Sequence, residues 1–318
     1  MAALHGAPVS IWRLEESFVT FVNGHEGAGS FAAPAAFVPT AAERIAMSED
    51  HTADDIRGMA SKLGPHLPLN DPQMRQAAQL LIWLRRTRET WGPGRLVLCD
   101  RILERVCEWA GVANRRRFIE EYLRLPWAVE RVRTEIAGAA WQALNTHGGF
   151  GTADQATFEE IRYDPELDFD LGERRWTVNL QGALNKAEWM SEHMPEGSHV
   201  RARLIRLKER TVTGQATATW IRELAGEFDV LERRARRIRN ALIHGGPVGD
   251  GTAEGILPFA ESLAVEAIYP AVEGQLEGAD LVDYFLDRRK RHAQILAELT
   301  SGKPASEALF WRAKNGGD

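Results

Sequence analysis

From Asp71 onward the chain places apolar residues three and four positions apart. QMRQAAQLLIWLRR, RLVLCDRILERVCEWA and VERVRTEIAGAAWQAL all follow this rule. The spacing matches a helix that turns one face to a core and the other to water. Asn70, Asp71 and Pro72 predict the start of the first helix, with a polar cap and a proline in the first turn. Five more stretches read the same way: RWTVNLQGALNKAEWMSEHM, HVRARLIRLKER, a long one from about Gln215 to His244, ILPFAESLAVEAIYPAVEGQL and LVDYFLDRRKRHAQILAEL. Few segments alternate as strands would. The expected class is all-α, with the second half forming an antiparallel bundle of four or five helices.

Proline and glycine interrupt the N-terminal third in GHEGAGSFAAPAAFVPT, LGPHLPLNDP and WGPG. The run THGGFGTADQ, 146 to 155, joins a helix-stopping glycine pair to small polar residues and is the best candidate boundary. It predicts a helical N-terminal domain over 1–150, with a sensing or restraining role, and a second helical domain over 151–318. YDPELDFDLGE carries Asp164, Glu166, Asp168 and Asp170, but Leu171 stands where a calcium loop needs its turning glycine. A short amphipathic edge segment fits it better. His-Gly-Gly follows a helix in both WQALNTHGGFGT and NALIHGGPVGDGT, an echo that the preference of helix ends for glycine accounts for.

Composition narrows the classes. A chain of 318 residues with 44% hydrophobic content can bury a sizeable core. A net charge of −6 argues against non-specific coating of nucleic acid but leaves room for a local basic site. There is no basic n-region before an apolar run, and no stretch approaches the roughly 18 apolar residues of a membrane span. A cytoplasmic protein with no membrane partner is expected. Cys99 and Cys107 lie eight residues apart on one helix, about 12 Å by its rise, too far to bridge. They read as packed free thiols, in keeping with a reducing compartment. No HExxH or CxxC occurs and the nine histidines are scattered, so no metal site or cofactor is expected.

The long helix ends in RIRNALIHGG, Arg237 to Gly246. Leu224, Phe228, Leu231, Ala235, Ile238 and Leu242 form its core stripe. Arg233, Arg237, Asn240 and His244 run nearly opposite, and Arg239 flanks them about 140° from His244. In a lone monomer these groups would face water. Capping explains part of the pattern, because cations suit a helix C-terminus and Gly245 is a natural cap.

Arg239-Asn240-Ala241-Leu242-Ile243-His244 resembles the R-x4-6-H signature of HEPN domains, whose arginine is typically followed by a polar residue. The setting is similar too: the motif closes a long helix and precedes a glycine-bearing loop and another helix. RNALIHG is especially like bacterial HEPN proteins linked to phage defence, and the resemblance spans roughly 155 to 300. It implies a helical bundle, a two-fold homodimer whose paired polar faces make one basic cleft, and metal-independent endoribonuclease activity. RNA would be the substrate, and a toxin or defence effector the role, with an antitoxin or defence-system partner compatible with it. Cleavage by the RNA's own 2′-hydroxyl needs a proton shuttle, for which a histidine's ordinary pKa of about 6.5 is suited, and cationic stabilisation of the phosphorane-like transition state. His244, Arg239 and Asn240 are thereby the candidate catalytic residues. Arg233, Arg236 and Arg237, with Arg234, are candidate RNA contacts, and Glu188 is a candidate supporting residue that would pair with an arginine of the site. RARLIRLKER and Arg288 to Arg291 are more distant basic clusters. The alternative is a non-catalytic HEPN-like module that binds a nucleotide or a partner protein. An all-helical adaptor with a coincidental motif is the third reading.

Overall fold

The predicted apolar stripes become the packed faces of a set of helices. A computed structural model describes residues 17–22, 25–30, 72–89, 92–146, 154–162 and 178–310. Helices α1 (Pro72–Glu89) and α2 (Pro93–Trp109) come first. A single helical turn, α3 (Arg115–Phe118), passes through a π-helical turn (Ile119–Leu123) into α4 (Arg124–Thr146). Then come α5 (Gln155–Arg162), α6 (Leu180–Asn185), α7 (Ala187–Glu192), α8 (His199–Thr211) and the long α9 (Gly214–Ile243). α10 (Asp250–Glu254), α11 (Leu257–Leu276), α12 (Leu281–Thr300) and α13 (Ala305–Ala308) complete the series. The fold is all-α, and proline sits in the first turn of α1 as expected.

Three local departures have physical causes or signals. Pro126 has no N–H to offer the carbonyl four residues back, and just before it the ladder slips to i→i−5, with the Arg124 N–H donating to Ile119 O. The segment expected as one helix around ALNKAEWM is two, broken at Lys186 (φ −105, ψ 10). An antiparallel hairpin, β1 (Ser17–Val22) with β2 (His25–Ser30), pairs Val22 with His25. The sequence reading missed it, although Asn23-Gly24 between the two runs is a strong short-range hairpin signal. The acidic segment 163–173 and the glycines following Thr146 lie outside the described residues.

One hydrophobic cluster extends from Leu80 to Leu309. α2 packs on α1 and α11, and α4 packs on α9 and α8. Trp127 of α4 meets Phe228 of α9 and Phe259 of α11 edge to face, with ring centroids 5.4 and 5.5 Å away, and the two phenylalanines meet each other at 5.3 Å. Among the described residues, helices before and after 146–155 share this one cluster. The glycine-rich run reads as a linker by composition, but helices on both sides of it complete one another's apolar faces.

A charged cluster pins α12 to α4. Glu130 accepts from Arg133 Nη1 (2.5 Å) and lies 3.3 Å from His292 Nε2, while Arg288 Nη2 donates to Glu266 (2.6 Å). Burial opposes ionisation of Glu130, yet His292 and Arg133 prevail and bring its pKa from 4.5 down to about 2. Glu266 is moved upward, chiefly by burial, despite Arg288. A depressed carboxylate stabilises the fold above its ordinary pKa and loses that contribution as pH falls through the folded value. Glu266 acts in the opposite sense, and above pH 4.5 rather than below it. Between pH 4.5 and about 2 the wild type should thus lose on the order of 2 kcal/mol that Glu130→Gln does not. Urea unfolding at several pH values measures this, and parallel curves for the two proteins would refute it.

Candidate functional site

α9 ends in a Schellman motif. His244 is the C-cap residue, Gly245 adopts φ +72, and the Gly246 N–H donates to Ala241 O at 2.7 Å while the Gly245 N–H reaches Leu242 O at 3.4 Å. The positive φ is why glycine is needed directly after the histidine. The predicted stripes hold along the same helix. Phe228 and Ile238 are buried, and Leu224, Leu231, Ala235 and Leu242 pack partly buried against the core. Arg233, Arg237, Asn240 and His244 are exposed. The ring of His244 makes no hydrogen bond or ion pair among the described residues.

Arg239 departs from the expectation that it faces water. Its side chain is only a quarter exposed, and Nε donates to Asp100 Oδ2 at 2.8 Å while Nη2 donates to Glu104 Oε1 at 2.7 Å. The third arm, Nη1, donates to Asn240 Oδ1 at 3.1 Å. Burial alone would weaken the charge, but Asp100 and then Glu104 outweigh it and raise the guanidinium pKa. Asp100, with a side chain 6% exposed, also pairs with Arg115 of α3, and Glu104 Oε2 accepts from Arg101 at 3.0 Å. Asn240 and His244, one turn apart on the exposed face, stand about 6 Å apart along the axis. Asn240 thus links a cation fixed from behind to an imidazole in front.

The two carboxylates come from α2, outside the span that carries the HEPN resemblance. Of the other candidates, Arg236 is half-buried and lies 3.8 Å from the buried Glu232, so it is less available than Arg233 and Arg237. Glu188 pairs with Lys208 of α8 rather than with an arginine of the motif. A small cavity of about 20 Å³ lies behind the motif, bordered by Asp100, Arg115, Glu232, Arg236 and Arg239. The Nε of Arg115 is buried there without an acceptor. Cys99 lines the same cavity, and burial pushes its thiol up to about 12, so it is a packing group and a poor nucleophile. Cys107 is buried and unbridged as well.

Among the described residues there is no group of three or more His, Cys, Asp or Glu side chains placed to hold a metal, and no helix is long and apolar enough to cross a membrane. Comparison of the chain with family profiles, with curated proteins and with solved structures finds no match.

Proposed function

We propose that the end of α9 cleaves RNA, with the substrate's 2′-hydroxyl as nucleophile, as the likeness of RNALIHG to HEPN ribonucleases implies. His244 moves the proton, Arg239 stabilises the charge that develops on the phosphate, and Asn240 orients one or both. Arg233 and Arg237 follow the RNA backbone. What carries the reading is one juxtaposition: an exposed histidine one turn beyond an asparagine that already accepts from a guanidinium fixed by Asp100 and Glu104. A cation with its geometry set beforehand needs no reorganisation as charge develops. Activity as a toxin or an anti-phage effector would suit such chemistry. The test is cleavage of total RNA by the purified full-length chain, compared with Arg239→Ala and His244→Ala. Equal activity in all three ends the proposal.

The non-catalytic reading draws support from the same contacts. Two carboxylates on one guanidinium offset most of the charge that a phosphate would feel, which suits a structural ion pair beside a nucleotide- or protein-binding face. Labelled nucleotides bound by a chain that leaves RNA intact would favour it.

A further inference from the structure

The outward face of α9 is charged in opposite senses at its two ends. Glu223, Gly226, Glu227, Val230, Arg233, Arg234 and Arg237 are all exposed, and at 100° per residue they lie within about 60° of a line through Val230. Acids fill the half before Val230 and arginines the half after it. Val230 is 55% exposed, one of few large apolar side chains so open among the described residues. Glu227, Arg233, Arg234 and Arg237 make no ion pair there, and Glu223 has only a loose one, 3.5 Å from the exposed Arg210. A Cβ on Gly226 would meet nothing within 4 Å, so the backbone is open to close approach.

Such a stripe is complementary to itself when reversed. We infer that a second copy of this chain docks on it, with the two α9 helices antiparallel about a two-fold axis at Val230. Glu223 then faces Arg237 of the second copy, and Glu227 faces Arg234. Symmetry repeats both pairs, so four ion pairs flank a central Val230–Val230 contact. Gly226 gives room to Arg233 of the second copy. One helix face falls short of the roughly 1,000 Å² of a stable interface, so the dimer is weak, and its exposed pairs make it salt-sensitive.

This arrangement engages Arg233 and Arg237, which the ribonuclease reading gives to RNA, and differs from the cleft that the resemblance implies. It separates the two His244 residues by about 42 Å along the helix axes. Centring the antiparallel pair on Asn240 instead would bring Arg237 to about 9 Å, along the axis, from its own copy, which like-charge repulsion disfavours.

Sedimentation equilibrium of the full chain at low and high salt tests the docking. Glu223→Lys with Glu227→Lys, or Arg234→Glu with Arg237→Glu, should each weaken association about tenfold or more. Mixing the two variants, or combining all four changes in one chain, should restore the dimer; loss without restoration overturns the inference. Circular dichroism confirms that each variant is folded. A helix contact at 8–10 Å brings paired Cα atoms on the axis within disulfide reach, so Val230→Cys should cross-link under mild oxidation and Asn240→Cys should not. A wild type that stays monomeric at low salt, or cross-linking of Asn240→Cys in place of Val230→Cys, overturns it, and the latter result would favour the motif-to-motif cleft.

Discussion

His244→Ala should lower RNA cleavage by the full-length chain by about 10²- to 10⁴-fold, the range that one positioned proton-transfer group contributes. Its stability should stay within about 0.5 kcal/mol of the wild type, because the exposed ring has no partner among the described residues and the Schellman bonds come from backbone groups. Activity and thermal unfolding measured on the same preparations check both halves. This variant is more informative than Arg239→Ala. The guanidinium is part of an ion-pair network with Asp100 and Glu104, so its removal changes folding and chemistry together. Arg239→Lys keeps a charge but cannot reach Asp100, Glu104 and Asn240 at once, and so reports on the fork geometry. If His244→Ala cleaves as the wild type does, any nuclease present lies elsewhere.

The long helix was legible because its signals are local. The four-three stepping of apolar residues set its inner face, and the His-Gly-Gly run set its end. The angle of Arg239 to His244 alone puts it in water. Its angle to the core stripe tells more: Ala235, Arg239 and Leu242 are spaced four and three, so Arg239 sits on the border of the buried face. Asp100 shows the same signature, with Leu96 four residues before it and Leu103 three after. A lone acid and a lone base, each at an apolar position of its helix, announce a buried pair. What the sequence withholds is that α2 and α9 are the helices that meet, since helix pairing depends on faces distant in the chain. The boundary drawn at 146–155 rests on composition alone. Glycine and small polar residues mark where a helix stops, and say nothing of whether the next helix packs back on the last.

Asp100→Ala should destabilise the fold by about 3 kcal/mol, the cost of removing one member of a buried ion pair. Arg239 and Arg115 both lose a carboxylate that is almost wholly enclosed, and with side chains 25% and 28% exposed each can relieve only part of the loss by turning toward water. Chemical denaturation of the variant measures the effect, and a change below about 0.5 kcal/mol would mean that the pair is not formed in solution. A second variant separates structure from chemistry. Asp100→Leu combined with Arg239→Met fills the same space with apolar groups, and such replacements of buried ion pairs are often neutral or stabilising. The double variant removes the Arg239 share of the loss but leaves Arg115 without its carboxylate, so it should recover part, not all, of the stability lost by Asp100→Ala. Under the ribonuclease reading it should remain inactive, because the cation that faces the phosphate is gone. Recovery of stability together with full RNA cleavage would leave Arg239 a structural residue and His244 without the partner that the mechanism gives it.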